Sequence, residues 1–271
     1  MTPHFSINCG LALAMLPLCL AYAEDQAVIP SAAVPEVSLK VEAISSNILH
    51  IGAVVLDKKE RTITVPARVR LRDQLVEYAL VHESGKAYES LLTTVSAPVQ
   101  INLAFVLLGF VHQDIPLQPA EPVPISSTNA VRIDVSWETN GVKITKPLGD
   151  LITLAQDPTD TESRSTMSAH SWQYNGSIFD SGGFAAQRDG SVVSLIRDAT
   201  ALVNNIGSDL DNDQVHLAKT KVLPPKNWPV FVTFQLPSIN PNGIRSTPQV
   251  DPARGDKTNS IRLLQGEPKS L

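Results

Sequence analysis

The sequence predicts an α+β domain, mainly antiparallel β-sheet with one buried apolar helix packed on it. Three observations predict it. Residues 61–71 alternate, with Ile63, Val65, Ala67, Val69 and Leu71 on one face and Thr62, Thr64, Arg68, Arg70 and the following Arg72 on the other, the period-2 pattern of a half-buried strand. Further β-rich runs of strand length recur between turns containing Gly, Asn, Asp or Pro. Only residues 98–109 join an apolar run of helix length to a proline at its start and a glycine at its end.

Composition sets the class. Hydrophobic residues make up 43% and charged residues 18% of the 271 positions, the balance of a folded chain rather than a disordered one. The net charge is −5 and the basic residues are scattered. Phosphate binding needs a concentrated Lys/Arg surface, so nucleic acid is not an expected partner. Residues 1–23 contain no Lys, Arg, Asp or Glu, and a short apolar run ends in Ala21-Tyr22-Ala23. That is the pattern of a secretory signal peptide cleaved after Ala23. Lipidation at Cys19 is the alternative, although Leu18 before it is bulky where lipidation patterns want a small residue. The expectation is export to the periplasm or the extracellular space, with no stable membrane span after cleavage. Both cysteines, Cys9 and Cys19, lie in this leader. The mature chain would then have no disulfide and no cysteine-ligated iron–sulfur cluster, and no cofactor is predicted.

Taken in order, residues 24–47 read as a disordered N-terminal leader, residues 48–237 as the domain and residues 238–271 as a flexible, proline-bearing tail. Residues 50–56 predict one strand, and Asp57-Lys58-Lys59-Glu60 a turn into the alternating strand. Its arginines read as a solvent face. Pro66 cannot donate to a ladder, which implies an edge strand or a bulge at that point. Residues 76–83 and 88–95 predict a β-hairpin turning at Ser84-Gly85-Lys86. One turn register sets His82 opposite Glu89 and Leu80 opposite Leu91; the other sets Leu80 opposite Glu89. Ser96 reads as the N-cap of the apolar helix, which should be buried on most sides.

Residues 112–127 hold four prolines and predict a loop. Residues 129–138 predict a strand with Val131, Ile133, Val135 and Trp137 on one face, and Thr139-Asn140-Gly141 a hairpin turn. Residues 148–154 predict one or two helical turns. Residues 172–179, 184–187 and 191–196 predict a meander, residues 198–206 a short helix, and residues 215–222 and 228–236 two strands.

The motifs of residues 77–109 resemble those of the YdjY domain family. They are Glu77-Tyr78 before a short turn, then Gly85-Lys86-Ala87-Tyr88-Glu89-Ser90-Leu91, then an apolar helix ending Leu107-Leu108-Gly109. The resemblance continues through Trp137, Trp172-Gln173-Tyr174-Asn175-Gly176-Ser177, residues 190–196, the Asp/Asn-rich residues 204–213 and the strand over 224–236. It implies an exported domain of unassigned activity. The family typically places His where Tyr88 stands, so an imidazole role at that position does not carry over. A ferredoxin-like label given to some relatives is not carried over either, because the mature chain lacks cysteines.

The candidate site is the junction of the predicted hairpin and helix. Glu77, His82, Tyr88, Glu89, Ser90 and Asn102 are polar or aromatic groups there among Leu, Val and Ala. Carboxylates in such company must reach water, a partner or a ligand. The expected function is a ligand-binding or structural interaction module, its partner an unidentified small molecule or an extracytoplasmic protein. An enzyme using Glu77 and Glu89 as an acid–base pair is the alternative. Asp209, Asp211 and Asp213 form a weak calcium pattern, but Gln214 replaces the required Gly and Thr220 the bidentate Glu. Trp137, Trp172 and Trp228 read as core side chains rather than a carbohydrate platform. Asp180-Ser181-Gly182-Gly183 reads as a turn, because the nearest histidine, His170, is too close in sequence for a serine-protease arrangement.

Overall fold

The computed structural model describes residues 39–118, 121, 123–124, 126–155, 164–167, 172–236, 238–239 and 245–246. All of them belong to one compact unit, residues 37–271. The fold is α+β and β-rich, with one long helix.

Strands β1 (Val41–Ala43), β2 (Ile48–Ile51), β3 (Val54–Asp57) and β4 (Thr62–Val69) run as an antiparallel meander. Gly52, at φ +60, makes the turn that splits the single predicted strand into β2 and β3. Asp57 Oδ1 accepts the backbone N–H of Lys59 and Glu60 and shapes the next turn. Strand β4 shows the predicted alternation, with Ile63, Val65, Ala67 and Val69 buried. Of the arginines, only Arg68 is exposed. Arg70 and Arg72 are half-buried and donate to the backbone carbonyls of Ala87, Thr220 and Leu223. Strand β1 shows that order begins before residue 48, inside the stretch expected to be disordered.

Strands β5 (Tyr78–His82) and β6 (Ser90–Thr94) overturn the predicted hairpin. They are parallel, pairing Tyr78 with Ser90, Leu80 with Leu92 and His82 with Thr94. Neither antiparallel register exists. Parallel neighbours usually need a crossover of a dozen residues or more. Here the strands have five residues each, so the return covers only about 13 Å, and residues 83–89 reach it. Gly85 is not in the positive-φ conformation that a two-residue hairpin turn requires. A Cβ on it would lie 2.6 Å from the Asp189 carbonyl oxygen, because Gly85 packs back to back on Gly190. A contact more than a hundred residues away therefore sets this link.

Helix α1 (Pro98–Leu107) follows, with Pro98 at its first turn and Gly109 beyond its end at φ +86. Ala97 is the N-cap, with its N–H bonded to Gln100 Oε1; the Ser96 hydroxyl is buried without a partner. The helix buries Ile101, Ala104 and Phe105, whereas Val106 and Leu107 are exposed. One face is thus buried, rather than most sides. Strands β7 (Arg132–Thr139) and β8 (Val142–Pro147) form the predicted hairpin, with Asn140 and Gly141 both at positive φ. A single 3₁₀ turn leads into β9 (Ile152–Ala155), which pairs with β10 (Arg164–Thr166).

Strand β11 (Trp172–Tyr174) is followed by the small hairpin β12 (Phe179–Asp180) and β13 (Gly183–Phe184), whose turn is the predicted Ser181-Gly182. Helix α2 (Ala185–Asp189) takes the place of the expected second meander strand. Strand β14 (Ser191–Ser194) pairs antiparallel with β5 and parallel with β15 (Val203–Asn205), where a short helix was expected. Strand β16 (His216–Ala218) joins β9, and β17 (Pro229–Gln235) lies between β4 and β7. Residues Ser238–Ile239 and Arg245–Ser246 pair as β18 and β19, within the region expected to be a flexible tail; the rest of that region and residues 24–38 lie outside the described residues.

The pairings return to their start. The path runs β7–β17–β4–β6–β5–β14–β15–β11, and β11 bridges back to Ala130 just before β7. Val131 N–H donates to the Trp172 carbonyl at 2.9 Å, and Tyr174 N–H to the Asn129 carbonyl at 2.8 Å. Closure removes the open edges of these strands. Along one side of β4 the sheet forks: β3 covers Thr62 to Thr64 and β6 covers Arg68 and Val69. Pro66 sits in the gap, and its carbonyl accepts the Thr94 hydroxyl at 2.6 Å. Pro66 therefore lies in an internal strand rather than an edge, where no ladder partner misses its N–H.

The contact between Gly85 and Gly190 makes a prediction. Gly85→Ala, harmless in a surface hairpin turn, should destabilise the domain by about 2 kcal/mol through backbone crowding. Urea denaturation checks this, and a loss under about 0.5 kcal/mol would contradict the parallel link.

Candidate functional site

Of the predicted site residues, Glu77 and Glu89 come together. They flank the starts of β5 and β6, with Glu77 N–H bonded to the Glu89 carbonyl. Burial pushes the Glu89 carboxyl up, the Glu77 charge adds to this, and Lys86 opposes it. The other four residues do not complete a site with them. Ser90 is buried and donates to the Leu92 carbonyl of its own strand. His82 bonds Ser84, and Tyr88 is exposed. Asn102 bonds Tyr174 elsewhere.

Beside the carboxylates lies a polar chain that sequence reasoning missed. Lys86 Nζ donates to Tyr78 Oη at 2.5 Å, and Tyr78 donates to Asp198 Oδ2 at 2.9 Å. Asp198 Oδ1 accepts from the N–H and hydroxyl of Thr200. Burial, then the Asp198 charge, drives the Tyr78 phenol far above the usual tyrosine range. It remains protonated and acts as a donor, so this chain is a brace between β5 and the segment after β14. Asp198 lies 120 residues from Tyr78, and nothing local signals the pairing.

The calcium pattern is dispersed. Asp209 accepts from His216 Nε2 at 2.6 Å and from Asn205 Nδ2 at 2.8 Å. Asp211 pairs with Arg197 at 2.6 Å. Asp213 accepts from Gln214. Three carboxylates each engaged by different protein groups do not make one coordination sphere.

Two surface features have the form of binding sites. The first lies on the outer face of β17. Inward-facing Val230, Val232 and Phe234 are buried, while Phe231 faces outward and is 52% exposed. Its cross-strand neighbours are Pro66 and Ser136, too small to cover a phenyl ring. A cleft of about 620 Å³ opens beside it, lined by Trp137, Trp228, Pro229 and Phe231, with Glu138 and Lys143 at its polar rim. Trp228 is fixed by its Nε1–H bond to the Glu138 carbonyl. A smaller cleft of about 240 Å³, reaching Arg68, Glu83 and Val95, shares Pro229 and Phe231 with it. The two form one groove around Phe231. Trp172 is the core residue expected and Trp137 is nearly so, but Trp228 is a groove wall. The second feature is a cavity of about 460 Å³ containing Asn102 and Tyr174.

Compared with protein-family models, curated proteins and solved structures, the chain matches none.

The pair formed by Asp209 and the fully buried His216 has a pH consequence. Burial raises the Asp209 carboxyl, but hydrogen bonds from His216 and Asn205 outweigh it, and the net shift is downward from 3.8. A lowered folded-state value adds stability above the unfolded value, which is lost as pH falls through the folded one. Asp209→Asn should cost about 2 kcal/mol at neutral pH and flatten the acid limb below pH ~4. Denaturation across pH 3–7 checks this; an unchanged acid limb would contradict it.

Proposed function

We propose that the domain is a binding module whose ligand presents an apolar or aromatic group to the groove around Phe231. The observation that carries this reading is the half-exposed Phe231 at the centre of an aromatic cleft of about 620 Å³. Exposing a phenyl ring forgoes roughly 1–2 kcal/mol of burial, and nothing in the packing of β17 requires it. Thr233 and Gln235 occupy equivalent outward positions with polar side chains. Cleft volumes of 300–1,000 Å³, apolar walls and a few polar groups at the rim are the usual form of ligand sites. Rim groups of both signs, Glu138 and Lys143 on one side and Arg68 and Glu83 on the other, suit a ligand with polar ends.

The test uses 1-anilinonaphthalene-8-sulfonate as an aromatic probe. Saturable one-to-one fluorescence enhancement is expected, with energy transfer from tryptophan. Phe231→Ser and Trp228→Ala should each weaken it about tenfold, and Phe231→Ser should leave Tm nearly unchanged. Enhancement that is indifferent to both substitutions would remove the reading.

A further inference from the structure

We propose that the cavity beside α1 is a second binding site, independent of the groove, and that it recognises a neutral primary amide carried on an apolar body. The polar lining of the cavity includes Asn102 and Tyr174, with His112 and Asp114 also present. Tyr174 Oη donates its hydrogen to Asn102 Oδ1 at 2.7 Å. This bond fixes what each group has left. Asn102 has no other partner among the described residues, so its amide nitrogen keeps two donors for a ligand in the cavity it lines. Tyr174 has spent its proton and keeps acceptor lone pairs. Burial pushes the phenol up to about 12, so it stays protonated and the polarity of the floor does not invert near neutral pH.

A donor and an acceptor side by side match a primary amide, whose C=O and one N–H point to the same side; in a trans secondary amide the two point apart. A carboxylate fits worse, since it has no hydrogen to give Tyr174 Oη. The exposed carboxylate of Asp114, bonded to His112 at 2.8 Å, adds negative charge at the same cavity. Apolar side chains also line it: Val106 is half-exposed on α1, Phe179 is 79% exposed, and Ile178 joins them.

The wall holds this geometry at a cost. Gly176 sits at φ +84, and a Cβ there would lie 2.8 Å from Tyr174 Oη. Ser177 follows at φ +60, a conformation that non-glycine residues rarely adopt. Its buried hydroxyl donates to the Thr200 carbonyl at 2.6 Å and accepts the Ala186 N–H at 2.9 Å, which holds the residue there. Strained backbone pinned against the floor of a cavity is a recurring property of ligand sites.

The test is an NMR titration of the whole chain with three probes of one carbon skeleton: 3-phenylpropanamide, methyl 3-phenylpropanoate and 3-phenylpropanoate. The amide should shift signals of Asn102, Tyr174 and Ile178 saturably. The ester, which lacks the N–H, and the acid should bind about tenfold more weakly. Asn102→Asp keeps the acceptor for Tyr174 but removes the donor, and should weaken amide binding by at least as much. Val106→Trp, a change at a half-exposed helix position, should block the cavity without unfolding the domain. The proposal is overturned if the amide causes no shifts at these residues, if the three probes bind alike, or if both variants bind the amide as tightly as the parent.

Discussion

The structure depends on one aromatic contact inside the strand ring. Phe105 of α1 stacks on Tyr174 with centroids 4.5 Å apart, and meets Phe234 edge-on at 5.2 Å. Tyr174 belongs to β11, the strand that closes the ring, and Phe234 to β17 on another part of it. Phe110 packs against both Phe105 and Tyr174. One helix residue thus ties together the closing strand and a central one. This cluster adds to the two backbone bonds joining β11 to residues 129–131 and to the Asn129 Nδ2 bond to the Tyr174 carbonyl. Such aromatic pairs contribute about 1 kcal/mol each beyond simple burial.

The same contact places the functional groups. Stacking on Phe105 orients the Tyr174 ring so that its hydroxyl reaches Asn102, one helical turn before Phe105 on α1. On the opposite face of β17, the alternation that buries Phe234 turns Phe231 outward. The core and the groove are therefore two consequences of one strand period. The braces that sequence reading overlooked, Lys86–Tyr78–Asp198 and Asp209–His216, each join segments far apart in the chain or in different elements, with His216 Nδ1 left buried without a partner.

Much of the fold was legible in local pattern. The alternation in β4, the Asn140-Gly141 turn, the limits of α1 and the strand at β17 follow from side-chain period and turn chemistry. What failed depended on distant partners. Gly85 looked like a hairpin glycine because tight turns and close packing both demand glycine, and only Gly190 shows which applies. Residues 198–206 looked helical, yet the structure places β15 there beside β14. Pro66 correctly marked an interruption of pairing, but the fork in the sheet lay beyond local reading. Asn102 was legible as a polar residue on an apolar helix; its partner Tyr174, 72 residues away, was not. Trp228 looked like core because an alternating strand does not reveal which face another layer covers.

Closure of the ring is the claim on which this account rests, and native-state hydrogen exchange tests it most directly. The amides of Val131 and Tyr174 donate across the closing bridge. If the ring is closed and pinned by Phe105, these two amides should exchange only through global unfolding, as slowly as Val65 and Val232 in β4 and β17. Exchange of the bridge amides at the faster rate of a fraying edge, with β4 and β17 still protected, would show an open sheet and contradict the account.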